Sequence, residues 1–267
     1  MSWTTATILL LGFLLLATGA LLIRTLFAQR KLRRELGSAY DHTEQLQHSF
    51  NRFAPWQLVD ELADARKVPE ASEREITVLF VDIRDFTGVC ETLSPTATIE
   101  LLNRYYTAVT AGVSENRGHT LKYIGDGVLA VFGALDNNPW HADDAVHAAL
   151  AIAEKINCAN LSEISGFDGK VRLSMGVHTG PVVAGVTGSG ELLEFTVLGT
   201  TVNIAARIEE LTRNLDATIL VTEETQQKLD PRFIMKEHPR QHIKGISVPV
   251  GVFSIEGYDR AGPQRSP

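Results

Sequence analysis

The run Ile76-Thr77-Val78-Leu79-Phe80-Val81 constrains this chain more than any other. Six β-branched or apolar residues in succession mark a strand buried on both faces. It ends abruptly on an acid, Asp82. A second apolar run, Val128 to Phe132, is preceded by the turn Gly125-Asp126-Gly127 and by Thr120 to Ile124, which together read as a hairpin. Between the first strand and this hairpin, Thr96 to Val113 reads as a helix, capped by Ser94 with Pro95 in its first turn. His141 to Ala159 forms an Ala-rich helix, and Val171 to His178 with Val182 to Val186 reads as another hairpin across Gly180-Pro181. The order βαββαβ with an additional strand predicts an α+β fold on the ferredoxin-like plan.

That plan has a chemical consequence. Its first and third strands are antiparallel neighbours, so the end of one meets the start of the other and Asp82 comes beside Asp126. Singly, Asp82 reads as a helix cap and Asp126 as a turn residue. Together they repel unless something positive lies between them, and a divalent cation held by oxygen ligands is the usual answer. The segment Arg84-Asp85-Phe86-Thr87-Gly88 turns from strand into helix, so the backbone N–H groups of Phe86 and Thr87 can face an anion. Further along, Gly199 to Arg207 opens a helix after the short strand Phe195 to Leu198. Asn203 and Arg207, four apart, share one face and offer an amide and a guanidinium fork to phosphate oxygens. The alternative for Arg207 is a surface pair with Glu209 or Glu210. Lys244, in Ile243-Lys244-Gly245 before the strand Val250 to Ile255, is an ordinary surface lysine when taken alone.

The front of the chain differs in kind. Met1 to Ile23 carries no charged side chain and is centred on Ile8 to Leu16. About 20 such residues in a helix rise about 30 Å, enough to span a bilayer. A cleaved signal peptide is the alternative, but the basic n-region is missing and Leu21-Leu22-Ile23 continue the apolar run. Arg24, Arg30, Lys31, Arg33 and Arg34 follow at once, which predicts a single-pass anchor in the inner (plasma) membrane with everything after it on the cytoplasmic side. Leu32, Leu36, Ala39, Thr43, Leu46, Phe50 and Phe53 keep an a/d spacing that suits either a short coiled coil or one amphipathic helix. The expected organisation is therefore an anchor over 1–23, a helical connector over 24–71, a main domain over 72–256 and a disordered tail over 257–267. The net charge of −7 includes that basic cluster, so the remainder is more acidic still and a nucleic-acid partner is not expected. Two cysteines, Cys90 and Cys158, are too few for a disulfide framework.

Four blocks in order resemble the class III nucleotide cyclase catalytic domain: Val78 to Thr87, Lys122 to Asp126, Phe195 to Arg207, and Lys244-Gly245. Phe50-Asn51-Arg52-Phe53-Ala54-Pro55 is similar to the lead-in of many bacterial members. The resemblance implies that Asp82 and Asp126, with the carbonyl of Ile83, bind two Mg²⁺ or Mn²⁺ ions. One would acidify the ribose 3′-hydroxyl for in-line attack on the α-phosphorus and the other would neutralise the departing pyrophosphate. It further implies that Arg207 stabilises the pentacoordinate phosphate, Asn203 orients the ribose and Lys244 holds β/γ oxygens. In the family the metal aspartates come from one chain while the base-reading residues, the asparagine, the arginine and the phosphate lysine come from the other, which implies a homodimer with composite sites.

Base choice follows from donors and acceptors. Lys122, a pure donor, suits adenine N1, and Thr196 can accept from the N6 amine. Guanylate cyclases typically carry Glu where this chain has Lys122. Many adenylate cyclases carry Asp where it has Thr196, and the threonine resembles the class IIIb subgroup. The expected activity is conversion of ATP to cyclic AMP. A silent nucleotide-binding module and a guanylate cyclase are the competing expectations. Two departures from the family pattern stand out: Leu192, where an arginine is frequent, and Asp85, where a glycine is frequent.

Overall fold

In chain order the elements are β1 (Ser72–Ile83), α1 (Phe86–Thr92), α2 (Pro95–Glu115), β2 (His119–Ile124), β3 (Gly127–Phe132), α3 (His141–Cys158), a 3₁₀ turn (Leu161–Glu163), β4 (Leu173–Ser189), β5 (Leu192–Leu198), α4 (Thr200–Leu211), β6 (Ile219–Thr222), α5 (Glu223–Gln226), β7 (Phe233–Gln241) and β8 (Val250–Tyr258). The computed structural model describes residues 71–159, 161–167, 171–189 and 192–261, all within the second of the two units into which the chain divides, Asp60–Pro267. The expected anchor, the heptad-like connector up to residue 70 and the last residues of the expected tail lie outside the described residues. Among those described, no helix is long and apolar enough to cross a membrane.

All strands join one 8-stranded sheet in the order β2-β3-β1-β4-β6-β8-β7, with β5 paired to β4. The segment β2-β3-β1-β4 is the ferredoxin-like arrangement, and β1 is antiparallel to both β3 and β4. Alternation along the strands assigns the two faces of the sheet. Leu79, Val81 and Ile83 of β1 pack with Val128, Ala130 and Phe132 of β3 against α2 and α3, which contribute Leu101, Tyr105, Val109, Val146, Ala149 and Ile152. The opposite face belongs to α4. Ile219 and Val221 of β6 join the first cluster, whereas Leu220 packs with Ile208 of α4, Val252 and Ile243. Asp82, between Val81 and Ile83, therefore projects on the α4 side. Ser94 caps α2 as its position predicts, accepting from the N–H of Ala97 at 3.2 Å.

One glycine sets how closely α4 lies on the sheet. A Cβ at Gly176 of β4 would fall 2.3 Å from the Glu209 nitrogen and 2.5 Å from the Ala205 carbonyl oxygen. The helix backbone rests directly on the strand backbone there, and no other residue would fit.

Three sequence expectations need correction. The hairpin across Gly180-Pro181 is absent: β4 runs unbroken from Leu173 to Ser189, and the hairpin lies beyond it, where β4 pairs with β5. Pro181 is tolerated because its carbonyl accepts from the Thr201 hydroxyl at 2.6 Å, on the side away from β1. A strand residue directs its N–H and C=O to the same side, so the missing N–H costs no bond to β1. Second, β6 and β7 lie outside the expected set of strands, although Ile219-Leu220-Val221-Thr222 is itself an apolar, β-branched run. β6 is only 4 residues long, and β7 is an edge strand of mixed polarity ending in Pro239, Arg240 and Gln241. Third, β8 continues to Tyr258, past the expected boundary at 256. The Tyr258 ring packs edge-on against His147 and Phe233, with centroids 4.5 and 4.8 Å away, which holds the strand to its last residue.

Candidate active site

The β1/β3 register pairs Val81 with Val128, which leaves Asp82 facing the turn that opens β3. That turn is a two-residue loop, Gly125-Asp126, closed by the pair Ile124 and Gly127. Gly125 supplies the positive φ of 62° that such a loop needs at its first position. The Tyr106 hydroxyl of α2 donates to the Gly125 carbonyl, and its ring stacks on Tyr123 with centroids 4.4 Å apart. The loop is thereby tied to the helix layer, and the two aspartates converge as expected.

Their electrostatics are those of carboxylates crowded together in a buried place. Asp82 is pushed up to about 8, chiefly by burial, then by the hydrogen bond to and charge of Asp126 and the charge of Glu209; the Ile83 N–H, 2.8 Å from Asp82 Oδ1, opposes the rise. Glu209 of α4 is only 7% exposed and is pushed up to about 7 by burial, against the pull of Arg213. Two buried oxygens, Glu209 Oε1 and the Tyr105 hydroxyl, have no hydrogen-bond partner among the described residues. Tyr105 is also raised, first by burial and then by the charges of Asp82 and Asp126. Among the described residues no group of three or more His, Cys, Asp or Glu side chains is arranged to hold a metal. The donor set that fits is two carboxylates and the Ile83 carbonyl, all hard oxygens. It leaves positions for water and phosphate, as Mg²⁺ prefers.

The anion-facing turn is also formed. α1 begins at Phe86, with Asp85 at its cap in the left-handed region (φ 55°, ψ 38°) and making no side-chain cap bond. The opening N–H groups, those of Phe86 and Thr87 among them, have no partner within the helix. Asp85 tolerates a conformation in which glycine is at ease, which explains why glycine and aspartate can alternate there. Its carboxylate lies over Gly88, where a Cβ would come within 2.8 Å of Oδ2.

The remaining site residues gather elsewhere. Arg207 Nη1 donates to Glu210 at 2.6 and 2.8 Å, the surface pair the sequence allowed, with Glu210 rather than Glu209 as partner. Asn203 is exposed on the same face of α4. Successive helical residues turn by about 100°, so Arg207 points about 200° away from Glu209. Within one chain, Asn203 and Arg207 therefore do not join Asp82 and Asp126. Lys244 is exposed on a loop that its neighbours Ile243 and Ile246 pin against α4 by packing with Ile208, Ile204 and Leu211. Lys122 Nζ lies 3.1 Å from Glu194 Oε2. Glu194 and Thr196 are two apart on β5 and share a face, so the structure brings Lys122 to the side of β5 that bears Thr196.

Residues 68–257 match the adenylate and guanylate cyclase catalytic domain. The chain belongs to this family. It is 35% identical over 189 residues to an adenylate cyclase of Anabaena cylindrica, covering 68% of this chain and 37% of that protein. It is 28% identical to adenylate cyclase 1 of Rhizobium meliloti, covering 72% and 29% respectively. The chain thus spans about a third of the length of these curated relatives. Among solved structures, the adenylyl cyclase CyaB of P. aeruginosa superposes with a TM-score of 0.66 at 26% identity, covering 72% of this chain and 98% of that one. The guanylyl cyclase Cya2 superposes with the same TM-score at 25% identity, covering 72% and 97%. Cyclases of both specificities share this fold, so overall shape does not separate them.

Three members of this cyclase domain's acidic centre escaped the sequence reading: Glu209, Arg213 and Tyr105. The spacing Thr201, Ala205, Ile208, Glu209 is the buried stripe of α4, and it places Glu209 inside. Tyr105 lies in the equally regular buried stripe of α2 with Leu101, Val109 and Val113, whereas Arg213 had no local signal.

Proposed function

We propose that this cyclase domain converts ATP to 3′,5′-cyclic AMP and pyrophosphate at sites shared by two copies of the chain. The observation that supports it most directly is the convergence of Asp82 and Asp126 at the end of β1, with Asp82 pushed up to about 8. Bound there with the Ile83 carbonyl, two Mg²⁺ or Mn²⁺ ions would supply Lewis-acid activation of the ribose 3′-hydroxyl and neutralise the triphosphate.

The chain's own groups do the rest by positioning. From a second copy, Lys122 donates to adenine N1 and Thr196 accepts from N6, and Lys122 must leave Glu194 to do so. The N–H groups of Phe86 and Thr87 hold phosphate oxygens at the start of α1. From a second copy, Asn203 orients the ribose, Arg207 sets its guanidinium fork against the α-phosphoryl group, and Lys244 fixes the β- and γ-phosphates. Sharing between copies follows from the opposite directions of Arg207 and Glu209 on α4. Exposed apolar side chains favour it too: Tyr123 (52%), Ile124 (56%), Val183 (39%) and Leu198 (61%) lie on β2, β4 and β5, and Val183 and Leu198 are paired in register. Residues 1–23 would anchor the dimer in the plasma membrane, with the catalytic domain on its cytoplasmic side.

The test is turnover by the purified full-length chain in detergent, with Mn²⁺ or Mg²⁺ and each nucleoside triphosphate. ATP yields cyclic AMP and GTP is a far poorer substrate. Equal turnover of both nucleotides rejects the roles given to Lys122 and Thr196, and turnover of neither leaves a silent nucleotide-binding module.

A further inference from the structure

The segment that follows α4 is fastened to the end of β1. Arg84, two residues after Asp82, is 11% exposed. Its guanidinium donates to the Thr212 carbonyl at 3.3 Å, to the Ala217 carbonyl, and through Nε to the Ser174 hydroxyl at 3.2 Å. These bonds bracket the turn that contains Arg213. With α4 lying close on Gly176, the turn delivers Arg213 Nη2 to 3.4 Å from Asp82 Oδ2 and 3.9 Å from Glu209 Oε1.

Arg213 is thus a cation between two carboxylates of different standing. One is the aspartate assigned to metal; the other is a buried glutamate whose Oε1 has no hydrogen-bond partner. A guanidinium and a divalent cation compete for one carboxylate, because like charges at close distance repel. Arg213 is 51% exposed, so its side chain has room to move. Glu209 Oε1 provides the place it can move to.

We propose that Arg213 is a positioning residue, the resident counter-ion of the acidic centre, which holds Asp82 beside Asp126 while no divalent cation is bound and withdraws onto Glu209 when one enters. The inference rests on the metal-dependent reading of the preceding section. It also accounts for a carboxylate buried on α4 that the reaction does not otherwise use.

Two measurements on the nucleotide-free full-length chain decide it. In the first, free Mn²⁺ is followed by electron paramagnetic resonance during titration of the wild type, Arg213→Ala and Arg213→Lys. Removing the competing cation tightens Mn²⁺ binding about fivefold, the size expected for a half-exposed charge pair, and the lysine variant stays near the wild type. Unchanged or weaker binding by folded Arg213→Ala overturns the assignment. In the second, metal-free melting temperatures are compared in a double-mutant cycle. Arg213→Ala lowers the melting temperature in the wild type and has no such effect in Asp82→Asn. An equal loss in both backgrounds overturns the proposal, since it marks Arg213 as a structural residue only. Absence of Mn²⁺ binding by every variant, wild type included, rejects the metal reading itself and the withdrawal step with it, and the melting cycle then judges the Arg213–Asp82 contact alone.

Discussion

The two faces of α4 treat charge in opposite ways. On the outer face Arg207 and Glu210 form a short, exposed pair that solvent screens and that stabilises the fold little. On the inner face Glu209 is buried, raised to about 7 and left with an unpartnered oxygen beside two more carboxylates. One face holds an exposed cation, and the other concentrates negative charge that weakens the fold. On the proposed reading the same helix serves two half-sites, and the inner half is the one that strains the fold.

The strongest way to break this contrast is Asp82→Asn. It should cut cyclase turnover by about three orders of magnitude and raise the metal-free melting temperature at pH 8.5, because one of two repelling carboxylates is gone. A variant that is both inactive and less stable would show that Asp82 supports the fold rather than opposing it. Arg207→Ala should lose about 10²-fold in kcat with an unchanged melting temperature, since its partner among the described residues is an exposed acid. Mixed with Asp82→Ala, it should regain activity through one intact composite site. Failure of well-folded dimers to complement would argue that each chain completes its own site.

Gly176→Ala sharpens the inner side. Its methyl group would collide with the α4 backbone, costing about 1–3 kcal/mol by overpacking and lifting Glu209 and Arg213 from Asp82. A lower melting temperature is the expected result in calorimetry. The effect confined to the narrowest conditions concerns acid. His178, buried on β4 with its Nδ1 2.8 Å from the Thr222 hydroxyl, is pushed down to about 4 by burial, which outweighs the pull of Glu224. Below pH 6.5 the unfolded chain takes up a proton that the fold refuses. Its contribution is complete above pH 6.5 and lost as pH falls towards 4, up to about 3 kcal/mol. Asp82 and Glu209, raised rather than lowered, act with the opposite sign over the same range. The informative quantity is thus the difference in pH slope between wild type and His178→Asn, which cancels their share.

Much of this was legible along the chain because periodicity is a local property. The buried run at 76–81, the capped helix after Ser94 and the two-residue turn at Asp126 each announce themselves within a few residues, and the order of elements then brings Asp82 to Asp126. Where local signals conflict, the reading failed. Gly180-Pro181 looks like a turn, yet the pairing of β4 with β1 carries the strand through it, and the Thr201 hydroxyl occupies the side that the proline leaves without a donor.

The sequence by itself determined the element order from β1 to α3, the acidic pair and the family's motifs, since spacing and residue type carry them. Only the tertiary structure decided that Arg207 turns away from its own acidic centre while Glu209 and Arg213 turn towards it. The reason is contact: α4 reaches Asp82 only because β4 offers a bare backbone at Gly176 and Arg84 fastens the turn beyond, and neither contact leaves a trace in the neighbouring residues.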